Sequence, residues 1–170
     1  MLRRLLLAVT AVAALSFAST ASAEILDFGT RKGPVSHTGP FEIEVPLKDS
    51  GSISPRVQFI NGHGYNRPVK VTYNAECSVD AERGSWLSIR IVFERADGGG
   101  QVTPEPASGS DFALCSALTD KGKGFWTAVS RQSIARIATG EYRVRVYGRL
   151  VNKTGAGTWR LDDSSIVVEQ

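Results

Sequence analysis

The residue types that do most protein chemistry are scarce in this chain. Its 170 residues include two cysteines, two histidines and one methionine. His37 and His63 have no Cys-x-x-Cys or His-x-x-x-His partner, so the spacing that builds a zinc site is missing. Both histidines are expected on surface loops, and His63 lies in the turn-like Gly62-His63-Gly64. No Gly-x-Ser-x-Gly elbow occurs. Gly98-Gly99-Gly100 is not followed by Lys-Ser/Thr, so it is not a phosphate loop. There is no internal repeat of fixed period. No cofactor and no metal are expected.

Hydrophobic runs are also short. The longest is Leu5 to Phe17, behind the basic pair Arg3-Arg4 and ahead of Ala21-Ser22-Ala23. A charged start, an apolar middle and small residues at a cut site make a secretory signal peptide. The run falls short of the about 20 residues that span a membrane, and no cysteine sits at the cut to carry a lipid. Cleavage is expected after Ala23, placing the mature chain at 24–170 in the periplasm or medium. Losing residues 1–23 removes two arginines and no acid, so Lys+Arg falls from 20 to 18 against 17 Asp+Glu and the net charge from +3 to +1. A nearly neutral mature chain gives no case for nucleic acid or an anionic membrane surface. Its 147 residues suit one domain with its own core.

What is plentiful is two-residue alternation. Phe41, Ile43, Val45 and Leu47 fall on one face of an extended segment, opposite Glu42 and Glu44. Pro46 marks an edge or strand end. Val69, Val71, Tyr73, Ala75 and Cys77 alternate with Lys70, Thr72, Asn74 and Glu76. Leu87, Ile89, Ile91 and Phe93 repeat the pattern, as do Tyr142, Val144, Val146 and Leu150. Shorter strand candidates are Ile25–Phe28, Ile53–Ile60, Phe112–Ala117, Phe125–Ser130 and Ile166–Glu169. Val129–Ala138 fits either two helical turns with Ile134 and Ile137 inward or, preferably, a strand into the Thr139-Gly140 turn. Residues 97–110, DGGGQVTPEPASGS, read as a long flexible loop. Many short strands with Gly/Asn/Asp punctuation and almost no helix predict an all-β jelly-roll-like sandwich.

Cys77 and Cys115 each sit in a strand-like context. In an exported protein they are expected to form one disulfide, the alternative being two buried free thiols. Neither lies beside a histidine or at a clear helix start, where a thiolate would be stabilised.

Acid pairs such as Glu42/Glu44 and Asp162/Asp163, with Glu94, bring a carboxylate hydrolase to mind. Spacing of two on a solvent face is, however, what any amphipathic strand provides. Asp162-Asp163 could also offer oxygens to calcium, but lacks further placed acids. Asn152-Lys153-Thr154 has the form of a glycosylation acceptor. The aromatics are more suggestive. Trp86, Trp126 and Tyr147 fall opposite the core positions of their strands, near Arg90, Arg143, Arg145 and Arg149. Flat rings rimmed by guanidinium groups suit a sugar ring or a peptide. The competing reading makes the tryptophans core.

Cys77-Ser78, Cys115-Ser116 and Trp159-Arg-Leu-Asp-Asp-Ser164, with the strand pattern between them, resemble uncharacterised bacterial exported jelly-roll proteins. They are similar also to carbohydrate-binding modules, over roughly residues 70–168. The resemblance implies a binding or surface-associated sandwich and assigns no ligand residue. The expectation is therefore an exported, non-catalytic module. Its binding residues would be Trp86, Trp126, Tyr147, Arg90 and Arg145, and its partner a carbohydrate or an envelope protein. A structural or adhesive envelope role is the alternative, and a hydrolase the more distant one.

Overall fold

Alternation along the chain becomes two antiparallel sheets. The computed structural model describes residues 23–49, 51, 56–62, 67–106, 113–118, 125–152 and 154–170. The strands are β1 (Ile25–Arg31), β2 (Val35–Thr38), β3 (Ile43–Val45), β4 (Val57–Asn61), β5 (Arg67–Asp80) and β6 (Trp86–Arg95). After them come β7 (Gln101–Val102), β8 (Ala113–Ser116), β9 (Thr127–Ile137), β10 (Gly140–Val151) and β11 (Thr158–Glu169). The first sheet runs β1-β11-β5-β9, with β2 also on β11. The second runs β3-β10-β6-β7, with β4 on β10 and β8 on β6. From β4 onward the chain crosses repeatedly between sheets, the jelly-roll path. The expected all-β sandwich is the observed fold. Among the described residues there is no helix.

The four strong alternating segments are the sheet centres. Val69, Val71, Tyr73 and Cys77 of β5 face Leu87, Ile89 and Phe93 of β6 and Val144, Val146 and Leu150 of β10 across a closed core. Phe59 packs edge-on against Phe93 at 5.7 Å and stacks with Tyr142 at 5.8 Å between ring centroids. Trp159 is fully buried, so this tryptophan is core. Its space comes from Gly148, the one inward position of β10 without a side chain: a Cβ there would lie 3.1 Å from two Trp159 ring carbons. That glycine explains the gap in the apolar series Tyr142, Val144, Val146, Leu150.

Several expectations need correction. Phe41 is 74% exposed and precedes β3; only Ile43–Val45 pair with β10, so the strand is too short to turn Phe41 inward. β1 extends the Ile25–Phe28 candidate to Arg31 and β8 lies within Phe112–Ala117, while Ile166–Glu169 is the end of a twelve-residue β11. A bulge between Asp162 and Ser165, with Asp163 at φ 42°, shifts the inward set from Trp159 and Leu161 to Ser164, Ile166 and Val168. One added residue reverses the alternation, which is why no single pattern runs through that segment. The segments Phe125–Ser130 and Val129–Ala138 merge into β9, with Ile137 buried and Ile134 exposed. Helical spacing would have buried both.

The 97–110 loop is in part a strap. Gln101 and Val102 pair with β6. Glu105 exchanges two backbone bonds of 2.7 Å with Ile134 of β9, linking the edges of the two sheets. Residues 107–110 lie outside the described residues, as do the signal segment through residue 22, residues 53–55 of the Ile53–Ile60 candidate, Phe112 and His63. His37 is not in a loop. It sits on β2 opposite Trp159, with ring centroids 6.1 Å apart. Cys77 and Cys115 are joined, their Cα atoms 6.1 Å apart. The bond ties β5 of one sheet to β8 of the other, clamping the sandwich from inside.

Candidate functional site

Successive side chains of a strand alternate faces, so burying Leu87 to Phe93 and Tyr142 to Leu150 turns their neighbours outward. The register then places Trp86 opposite Val151, Ser88 opposite Arg149, Arg90 opposite Tyr147, Val92 opposite Arg145 and Glu94 opposite Arg143. Four of the five expected site residues, Trp86, Arg90, Arg145 and Tyr147, thus share the outer face of the second sheet. Trp86 and Tyr147 are half-buried on that face. Trp126 does not join them. It precedes β9, at the edge of the other sheet, and is 48% exposed.

The guanidinium groups of Arg90 and Arg145 on this face are held in place. Arg90 donates from Nε and a terminal nitrogen to both oxygens of Glu42, at 3.1 and 2.6 Å. Its guanidinium carbon also lies 4.4 Å from the centre of the Tyr147 ring. Arg145 reaches Glu94 at 2.6 Å and Glu44 at 3.5 Å, and donates to the Tyr147 hydroxyl at 3.4 Å. Arg56, just before β4, holds Glu44 through two bonds of 2.9 and 3.1 Å. The Arg90 hydrogen bonds hold the Glu42 carboxyl below its ordinary range. The Tyr147 hydroxyl and the flanking glutamates raise Arg145.

These contacts decide what the acids can do. A glycosidase proton donor needs a raised pKa, whereas Glu42 is shifted the other way. Glu44 and Glu94 are tied to arginines. Asp162 and Asp163 lie at the β11 bulge, on the first sheet. No group of three or more His, Cys, Asp or Glu residues among the described ones could hold a metal ion.

The sequence pattern did not single out Arg56, and it offered Glu42 and Glu44 only as an acid pair, not as the partners that hold these arginines. The Glu-x-Glu that leads into β3, beside the outward Arg-x-Arg of β10, was the available signal; Arg56 gave none, because its position follows from the β4 register. Arg143 and Arg149, noted only as rim residues, line the same face. A second feature is a cleft of about 510 Å³ at the sandwich edge, lined by Pro68, Val102, Thr103, Ile134 and Ala135 under the Glu105 strap.

No family model matches the chain. No curated protein matches it. Similar solved structures include Eiger TNF from S. frugiperda, at 14% identity and a TM-score of 0.49 over 87% of this chain and 92% of that one. A carbohydrate-binding module of Cellvibrio mixtus lichenase 5A, in complex with cellotriose, matches at 12% identity and 0.33, over 88% and 90%. The CBM22-1 xylan-binding domain of Paenibacillus barcinonensis Xyn10C matches at 11% and 0.36, over 86% and 96%. With TM-scores below 0.5, none of these bears on fold or ligand. The fold rests on the strand register.

Proposed function

We propose that the chain is an exported, non-catalytic binding module that takes a glycan on the outer face of its second sheet. The observation that carries this is the gathering of Trp86, Tyr147, Arg90 and Arg145 on one face by the β6–β10 register. A sheet face is flat, as a sugar ring is. Trp and Tyr offer apolar surface with a polar edge, and the Glu-held guanidinium groups are already oriented, so ordering them costs little on binding. The lowered Glu42 carboxyl and the arginine pairings of Glu42, Glu44 and Glu94 favour binding over hydrolysis. Export rests on Arg3-Arg4, the apolar run and Ala21-Ser22-Ala23.

A second reading has an observation of its own. Phe28 and Ile134 are exposed on strands of the first sheet, and exposed apolar side chains suit an envelope-protein contact. A glycan array probed with the exported protein separates the two. Glycan capture that is lost in Trp86→Ala at unchanged melting temperature supports the first. No glycan capture, with binding to an envelope protein lost in Phe28→Ser, replaces it with the second.

A further inference from the structure

Resting on that ligand face, we propose that the glycan is an acidic one and that Arg149 receives its anionic group. The charges on the face are unequally committed. Glu42 is taken by Arg90, Glu44 by Arg56 and Arg145, and Glu94 by Arg145. Arg149 feels the Glu42 charge from a distance but has no ion pair within 4 Å among the described residues, and its side chain is exposed. At the aromatic end of the face the uncommitted charge is therefore positive.

Its position fits recognition of a ring that carries an acid. Arg149 is the next outward residue after Tyr147 on β10, a step of roughly 7 Å, and lies diagonal to Trp86 of β6 across a strand spacing of about 4.8 Å. A sugar ring over Tyr147 or Trp86 would bring a carboxylate or sulfate on its edge within reach of that guanidinium. Such a planar donor pairs with a two-oxygen acceptor through charge-assisted bonds. Arg143, two outward steps beyond Tyr147 on the other side, is likewise without an ion pair among the described residues. Its neighbour Glu141 is hydrogen-bonded to Gln58. Six residues of strand separate Arg143 from Arg149, roughly 20 Å. That span suits a polymer chain rather than a single sugar.

The test compares the exported protein on polygalacturonate, dextran sulfate, neutral dextran and single-stranded poly-dT. The expected result is binding to an acidic polysaccharide at least about tenfold tighter than to dextran, the size of one charge-assisted bond, and weakening as salt rises. Polygalacturonate above dextran sulfate assigns a carboxylate; the reverse order assigns a sulfate. Arg149→Gln should lose about tenfold on the acidic polymer, with Arg149→Lys recovering part and both keeping the wild-type melting temperature. Equal affinity for dextran, with Arg149→Gln silent and Trp86→Ala weakened, overturns the acidic ligand while leaving the ligand face. Trp86→Ala without effect on any glycan overturns the ligand face itself. Tighter binding to poly-dT than to either acidic glycan also overturns the proposal.

Discussion

Replacing Gly148 by alanine should destabilise the protein, and the same replacement should stabilise it once Trp159 is smaller. The backbone permits alanine at Gly148, since its φ lies outside the left-handed region. On that count alone, removing a glycine from a strand gains about 0.4–1 kcal/mol by restricting the unfolded chain. Against it stands the close approach of the sheets. The new Cβ would sit 3.1 Å from two carbons of the Trp159 ring and 3.4 Å from Leu87 Cδ1. Trp159 is fully buried and cannot swing aside. Overpacking of this kind costs about 1–3 kcal/mol, so the clash outweighs the backbone gain. Trp159→Leu removes the ring carbons that clash, at its own cavity cost. In that background Gly148→Ala should show only the gain. Urea unfolding of the four proteins, read as midpoints at constant m-value, gives the coupling directly. The same sign for Gly148→Ala in both backgrounds would refute the account of how the sheets fit together.

Other outcomes follow from the same geometry. Replacing Cys77 and Cys115 together by alanine should cost about 4 kcal/mol in the chain-entropy account, for a sequence separation of 38 residues; an unchanged urea midpoint would deny the clamp. Burial pushes the Tyr73 hydroxyl up to about 12. The unfolded chain then ionises near its ordinary value of about 10 while the folded one does not, so stability should fall as pH rises between the two. Ultraviolet titration should show a late phenol that Tyr73→Phe removes, and a titration curve that Tyr73→Phe leaves unchanged at high pH would contradict that burial. Intact-mass analysis of protein taken from the periplasm or medium should begin at Glu24; a chain retaining Met1 in the cytoplasm would overturn export.

The centre of the fold was legible because β5, β6 and β10 are long, antiparallel and apolar on one face. In such strands side-chain period and burial coincide. Legibility failed where pairing, rather than pattern, decides. β2 and β7 are short strands whose place is fixed by β11 and β6, and neither carries an apolar alternation of its own. Phe41 looked inward because the pattern continued through it, but pairing with β10 starts only at Ile43. The β11 bulge at Asp162–Ser165 hid one strand as two unrelated pieces. The site was half-legible for the same reason. Parity within β6 and β10 placed Trp86, Arg90, Arg145 and Tyr147 outward, and their adjacency needed only the partner register. Trp126 lies just before β9, at the edge of the other sheet, which no local pattern reveals. Nor could local pattern show that Arg90 and Arg145 are engaged by Glu42, Glu44 and Glu94, side chains brought from as far as 101 positions away.

The most direct measurement is a backbone amide spectrum of the isotopically labelled protein, recorded while the tightest-binding polysaccharide fragment is added. Shifts confined to Trp86, Arg90, Arg145, Tyr147, Arg149 and their strand neighbours are the predicted result. Shifts centred instead on Phe28, Thr72 and Ile134 of the first sheet, or no shifts with any fragment, would contradict the ligand face.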